Sequence, residues 1–390
     1  MSEYQYYEWQ TVDRPLTQQE QAVVNSLSSH MEVVTSTQAI VTYQWGDFKH
    51  DPEKVLLKYF DAFLYYANWG TRRLLFRFPT QSIDVEKILA YCQGESIALL
   101  EEGDTCVLSI SLGEEGGDYE WFPQQDEDQG GSALSQYLPL REQIMQGDYR
   151  ALYLAWLKEA VPYGGDSRAN DDEDDRDGTA WDGPEPPVPP GLNQLDAALQ
   201  VLTHFLDLDE SLIRVAAQTS GQLSAVDNAQ LKAALHQLNR AECEAYLARV
   251  LDNDWSVRGI LQRRLGELAG QQQPATAPGE RAPQELDRLA RNVRAEAKKK
   301  ERAEAERERI AALQNLSKRK KETWASITSL IEEKKPKSYT QAVALLVQLR
   351  DLAQYEGELE VFQQQVNAIA GRYASRPALK ERLYAAGLIR

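Results

Sequence analysis

The chain has 390 residues, 42% of them hydrophobic, and its 60 Asp and Glu against 43 Lys and Arg give a formal net charge of -17. Two or three domains are expected at this length, each able to bury a core without cross-links, and the acidic balance excludes a surface that coats nucleic acid generally. Cys92, Cys106 and Cys243 stand far apart with no CxxC or Cys/His ligand spacing, which predicts reduced thiols and a cytoplasmic protein. No charged-then-apolar leader opens the sequence, and no apolar run approaches the roughly 18 to 20 residues of a membrane helix, so no membrane partner is expected.

Residues 4–10 are aromatic-rich and alternate, as a strand does. Thr17 and Glu20 form a T-x-x-E capping box that opens a helix through Val23, Val24 and Leu27. Residues 32–44 supply one bent strand or two short ones. Asp51 before Pro52 is an N-cap followed by a residue suited to the first helical position. The recurrence of Val55, Leu56, Tyr59, Phe60, Phe63, Leu64 and Ala67 then predicts one helix running to Ala67. Gly70 stops it, and Leu74, Phe76 and Phe78 alternate with Arg73, Leu75 and Arg77 in a half-buried strand. Residues 83–92 read as a helix, and 97–101 and 105–112 as a hairpin around Glu102-Gly103-Asp104. The order β-α-β-α-β-α-β-β predicts an α+β domain: a mixed, largely antiparallel sheet with helices on one face. A doubly wound parallel sheet is the competing arrangement. No strand is followed by G-x-G-x-x-G or a P-loop, so no dinucleotide or phosphate cofactor is expected.

Two short helices then close the first domain, residues 1–162. Residues 163–191 read as a linker, first acidic through Asp171, Asp172, Glu173, Asp174, Asp175 and Asp177, then stiffened by Pro184, Pro186, Pro187, Pro189 and Pro190. Glu173, Asp175, Asp177 and Gly178 match part of a calcium loop, but Pro184 occupies the place of its bidentate Glu, and no metal is expected. Residues 192–270 form a helical layer and 271–283 a second linker. Residues 284–390 follow as a long charged helix with a small helical bundle, so all-α regions complete the chain.

Chemistry is sparse. His30, His50, His204 and His236 fall in no ligand or catalytic spacing, and there is no G-x-S-x-G elbow. A non-catalytic protein that binds a protein partner is the expected class, with an enzyme of unrecognised type ranked last. Two stretches offer binding surfaces. Trp45, Asp47, Trp69, Arg72 and Arg73 mark the two ends of the predicted helix and would line a recognition edge; the bland reading is that the tryptophans fill the core and the arginines are solvated or paired. Lys298, Lys299, Lys300 and Arg302, with Lys318, Arg319, Lys320 and Lys321, make residues 294–321 a positive field that would suit an acidic partner or nucleic-acid phosphates. Against this, interleaved glutamates neutralise much of the run and are what a solvated single helix uses to stay helical. The acidic loop at 171–177 could also fold on Lys318–321 and mask them.

Tyr6-Tyr7-Glu8, Asp13-Arg14-Pro15-Leu16-Thr17, Trp45-Gly46-Asp47-Phe48 and Asn68-Trp69-Gly70-Thr71-Arg72-Arg73 together resemble a group of uncharacterised bacterial proteins. The resemblance covers most of the first domain and, more loosely, residues 339–388. It implies a bacterial cytosolic protein and carries no catalytic residue.

Overall fold

Seven strands build one sheet in the order β2-β3-β1-β4-β5-β7-β6, every neighbouring pair antiparallel. They are β1 (Gln5–Gln10), β2 (Met31–Val34), β3 (Gln38–Tyr43), β4 (Ala62–Ala67), β5 (Arg72–Pro79), β6 (Ile97–Glu102) and β7 (Thr105–Leu112). In this computed structural model the described residues are 3–113, 132–161, 183–223, 228–251, 257–269 and 276–389. The chain divides into two compact units, residues 1–294 and 295–390. An α+β N-terminal part followed by an all-helical region is the fold class the sequence predicts, with the antiparallel sheet, not the parallel one.

The sheet is covered on both faces, where the sequence reading places helices on one. Successive strand residues point to opposite sides, and here both sides are apolar. Tyr6, Leu64, Tyr66, Leu74, Phe76 and Leu108 share a core with α3 (Val85–Leu89), α4 (Leu138–Met145), α5 (Arg150–Ala160), α6 (Ala197–Phe205) and α7 (Glu210–Ala216). Tyr7, Trp9, Val41, Phe63, Leu75 and Val107 make a second core under α1 (Gln18–Ser26) and α2 (Pro52–Tyr59). Leaving that aromatic face in water would forgo roughly 25 cal/mol for each Å² of apolar surface, so two short helices close it.

The helix starting at Pro52 ends at Tyr59, not at Ala67. Asp51 caps it as expected, accepting from the Glu53 and Lys54 amides, but Phe60 is extended and Ala62–Ala67 is β4. Where every residue is apolar, helical and strand spacings cannot be told apart. Pairing decides: β4 lies between β1 and β5, with Tyr7 opposite Tyr65 and Leu64 opposite Leu74. Asp61 marks the break, its buried carboxylate accepting the Val12 and Asp13 amides at 2.7 and 2.8 Å and the Arg77 guanidinium at 2.5 Å. Asp13 in turn binds Arg141 of α4 through both oxygens, at 2.9 and 2.7 Å.

Strand β1 is buried along its whole length. Glu8, fully enclosed, accepts from the Tyr6 hydroxyl at 2.8 Å, Gln10 at 2.9 Å, Gln38 at 2.7 Å and the Leu134 amide at 2.9 Å. These donors compensate the carboxylate for lost water and tie the sheet to the segment before α4.

The proline-rich stretch read as a stiff spacer is extended, as its prolines dictate, but it is built into the first unit. Val188 bridges Ala277 through hydrogen bonds of 2.8 and 3.0 Å. Buried Glu185 receives Arg281 and the Tyr153 hydroxyl, both at 2.5 Å, and Arg281 also donates to the Val215 carbonyl at 2.9 Å. One ion pair therefore joins residues 185 and 281 to α5 and α7. The acidic part of that stretch, including the partial calcium loop and any masking of Lys318–321, lies outside the described residues.

Helices α8 (Asn228–Ala234), α9 (Arg240–Leu251) and α10 (Val257–Leu268) complete the first unit, and α11 (Pro283–Lys318) crosses into the second. There α12 (Lys320–Glu332), α13 (Pro336–Glu356), α14 (Leu359–Arg372) and α15 (Pro377–Ala385) bury Leu313, Ile327, Ile331, Leu346, Leu349, Phe362, Val366 and Leu383 in their own core. The break between α11 and α12 falls at Arg319.

The capping box and the proline-rich strap each have a measurable consequence. The Arg14 guanidinium and the Thr17 amide hold the Glu20 carboxyl at about 2, down from 4.5. A depressed carboxyl adds stability that is complete above its unfolded value and is lost as pH falls through the folded one. Glu20→Gln is thus expected to cost about 1 kcal/mol at pH 7, with the gap to the parent narrowing as urea melts are taken from pH 4.5 down towards 2; a gap independent of pH would refute the assignment. A Cβ at Gly279 would run into the carbonyl oxygens of Glu185 and Pro186. Gly279→Ala is expected to lower the urea midpoint by an amount equivalent to about 1 to 3 kcal/mol.

Candidate functional site

The turn after β3 displays an indole because a neighbouring ring takes the apolar seat. Gly46 adopts φ +82, a left-handed conformation suited to glycine. Phe48 then folds inward onto Tyr7 and Trp9, with ring centroids 5.6 and 5.3 Å apart. Trp45, three residues earlier, is left 71% exposed. The buried Gln5 amide holds the loop from beneath: Nε2 donates to the Gly46 carbonyl at 3.0 Å and to Asp47 Oδ1 at 2.7 Å. Gln5 Oε1 accepts the hydroxyls of Tyr7 at 2.6 Å and Tyr65 at 2.9 Å. Burial pushes both phenols up, so they stay neutral and able to donate.

Trp69 sits on the turn between β4 and β5. Asn68 anchors it by exchanging hydrogen bonds with Tyr4, amide to carbonyl and amide to Oδ1, each 3.0 Å, and Gly70 turns the chain at φ +103. Gln5 is opposite both Tyr43 and Ala67, so the turns bearing Trp45 and Trp69 leave the same end of the sheet, two strand spacings or about 10 Å apart. Trp69 is 37% exposed. The part of the bland reading in which both tryptophans fill the core does not hold; among the described residues the buried tryptophans are Trp9 and Trp156.

The two arginines part company. Neighbours on a strand face opposite ways: Arg73 reaches α2, where it forms an ion pair with Glu53, whereas Arg72 is 1% exposed and packs over the Phe205 ring at 5.8 Å. Arg72 is therefore removed from the candidate edge, which leaves Trp45, Asp47 and Trp69, while Arg73 is engaged with Glu53 of α2. Its phase with Leu74, Phe76 and Phe78 was the signal in the sequence.

On α11, Lys298, Lys299, Lys300 and Arg302 are exposed, as are Lys318, Arg319 and Lys321 around the break. Lys320 differs: its ammonium bridges Glu356 at 2.7 Å and Glu358 at 2.6 Å, and the Glu356 hydrogen bond holds its pKa above the ordinary value. It fastens the α11–α12 break to the α13–α14 turn and is taken out of the basic surface.

Sequence reasoning missed an open cleft of about 970 Å³, lined by Arg72, Leu195, His204, Asp207, Ile213 and Arg214 among others. Its wall comes from β5 and from residues 192–218, which no spacing rule connects. Asp207 adopts φ +50 there, and His204 Nδ1 lies 2.8 Å from the Gln200 carbonyl. Among the described residues no group of three or more His, Cys, Asp or Glu side chains could hold a metal ion, and no helix is long and apolar enough to cross a membrane.

Gln5 is the keystone of the displayed loop. Gln5→Leu would strip the Tyr7 and Tyr65 hydroxyls of their acceptor and Asp47 of its donor, at an expected cost of about 1 to 3 kcal/mol, read as a lower midpoint in chemical denaturation; an unchanged midpoint would show that the amide holds nothing. No family model, curated protein or solved structure matches the chain.

Proposed function

We propose that this chain is a non-catalytic interaction protein, and that its first unit recognises a partner protein through the sheet-end edge of Trp45, Asp47 and Trp69. The exposure of Trp45 beside a carboxylate fixed by a buried amide is the observation that carries the reading. A large indole left in water while its neighbour Phe48 is buried forfeits burial energy in the free chain, and tryptophan is enriched among residues that dominate protein interfaces. Three free thiols, Cys92, Cys106 and Cys243, support a reducing, cytoplasmic location, where disulfides are rare. Burial pushes the Cys92 thiol up to about 11, which suits a packed and unreactive side chain.

The second reading, a nucleic-acid-associated accessory protein, is favoured by one specific observation. Residues 295–390 carry 19 Lys and Arg against 13 Asp and Glu, while residues 1–294 carry 24 against 47. The second unit of an acidic chain thus has an excess of positive charge, while the first is strongly acidic.

Affinity capture with the full chain as bait, with and without nuclease, tests the first reading. Nuclease-resistant partners are expected to be lost with the double variant Trp45→Ala/Trp69→Ala, while its melting temperature stays within a few degrees of the parent, because neither indole is in a core. Retention of the same partners by the variant would sink the proposal.

A further inference from the structure

The cations of α11 are not scattered evenly around the helix. At 3.6 residues per turn, Lys300, Arg307 and Lys318 fall within about 20° of one line, and at 1.5 Å per residue that line is about 27 Å long. All three side chains are exposed. Leu313 and Leu316 pack into or against the bundle core from the other side of the helix, so the line faces away from the bundle. Between Lys300 and Lys318, the other residues within about 40° of it are Glu304, Ala311 and Gln314. Glu304 is the one carboxylate, 3.8 Å from Lys300 in an exposed pair, which contributes little and is screened by salt. Glu301 and Glu308 lie farther round the helix.

We propose that this stripe binds the phosphate backbone of nucleic acid without reading its sequence. The make-up of the stripe distinguishes nucleic acid from an acidic protein. Protein interfaces draw their energy from a desolvated centre of aromatic and large apolar side chains, and Lys and Ala are depleted there. The line from Lys300 to Lys318 holds no apolar side chain larger than alanine. Backbone binding needs no such centre, since release of condensed counterions supplies the affinity. A stripe of about 27 Å runs alongside about eight base pairs, and its three cations neutralise about three phosphates. The proposal is independent of the tryptophan edge and stands or falls without it.

The experiment uses the full chain and fluorescein-labelled probes, a 20-base-pair duplex DNA and a 20-nucleotide single-stranded RNA, titrated by anisotropy from 50 to 200 mM salt. Affinity for at least one probe is expected to fall roughly 40-fold across that range, the response of about three phosphate contacts. For Lys300→Gln/Arg307→Gln/Lys318→Gln the fall should shrink to roughly 5-fold or less, with helicity by circular dichroism unchanged because all three positions are solvated. Lys298→Gln/Arg302→Gln/Arg309→Gln removes the same charge from the opposite side of α11, a line of only about 16 Å that leads into the core side of the bundle; its salt response should stay near the parent's. Absence of binding to both probes overturns the proposal, as does an equal loss in the two triple variants, which would reduce the effect to net charge. Binding of a 20-residue oligoglutamate as tightly as the nucleic acids would overturn it in favour of an acidic protein partner.

Discussion

Strand β1 is enclosed on both faces and along both edges, yet Gln5, Glu8 and Gln10 occur in its six residues. Burial of a polar group without partners costs a few kcal/mol, so each must be satisfied by something that packs against the strand. Gln5 recruits the loop after β3 and the two tyrosines beside it. Glu8 recruits Gln38 and the backbone ahead of α4, and Gln10 reaches Ser135 in the same segment. The central strand thereby fixes both the displayed turn and the placement of the helical cover. A change at β1 is felt at the sheet end and at α4 together, although neither is near it in sequence.

The same logic recurs at the rim of the first unit. Asp61, Arg77, Asp13 and Arg141 join one strand, two connecting segments and a helix, and Glu185 with Arg281 joins two extended segments nearly a hundred residues apart. Buried pairs of this kind repay their desolvation only when further hydrogen bonds satisfy them. Here they are satisfied, by backbone amides at Asp61 and by backbone carbonyls at Arg281. They specify which segments meet more than they add to net stability.

Local signals in the sequence carried through wherever short-range chemistry decides structure. The Thr17–Glu20 box, the Asp51–Pro52 start and the hairpin at Gly103 are all present. Residues 62–67 escaped because an unbroken apolar run fits both periods, and only the partners on either side select the strand. The buried proline strap escaped for a related reason: proline content fixes an extended backbone and says nothing about what covers it. At the sheet end the sequence reading set Trp69 at the end of a helix, whereas it lies on the turn between β4 and β5, and the split between Arg72 and Arg73 follows from strand phase. The cleft beside His204 was out of reach, since its walls meet only through tertiary packing.

The manner in which the turn after β3 is held has a thermodynamic side. Phe48 clamps it on the apolar side and the Gln5 amide grips its backbone and carboxylate on the polar side, so the peptide carrying Trp45 has little conformational freedom left to surrender. Association is taxed by every side chain and loop that must be ordered on contact, about 0.5 to 1.5 kcal/mol for each immobilised side chain. A turn ordered in advance has met most of that cost during folding. In the recognition proposed for this edge, that entropy is lost once, when β1 is enclosed, and would not be lost again on covering the indole.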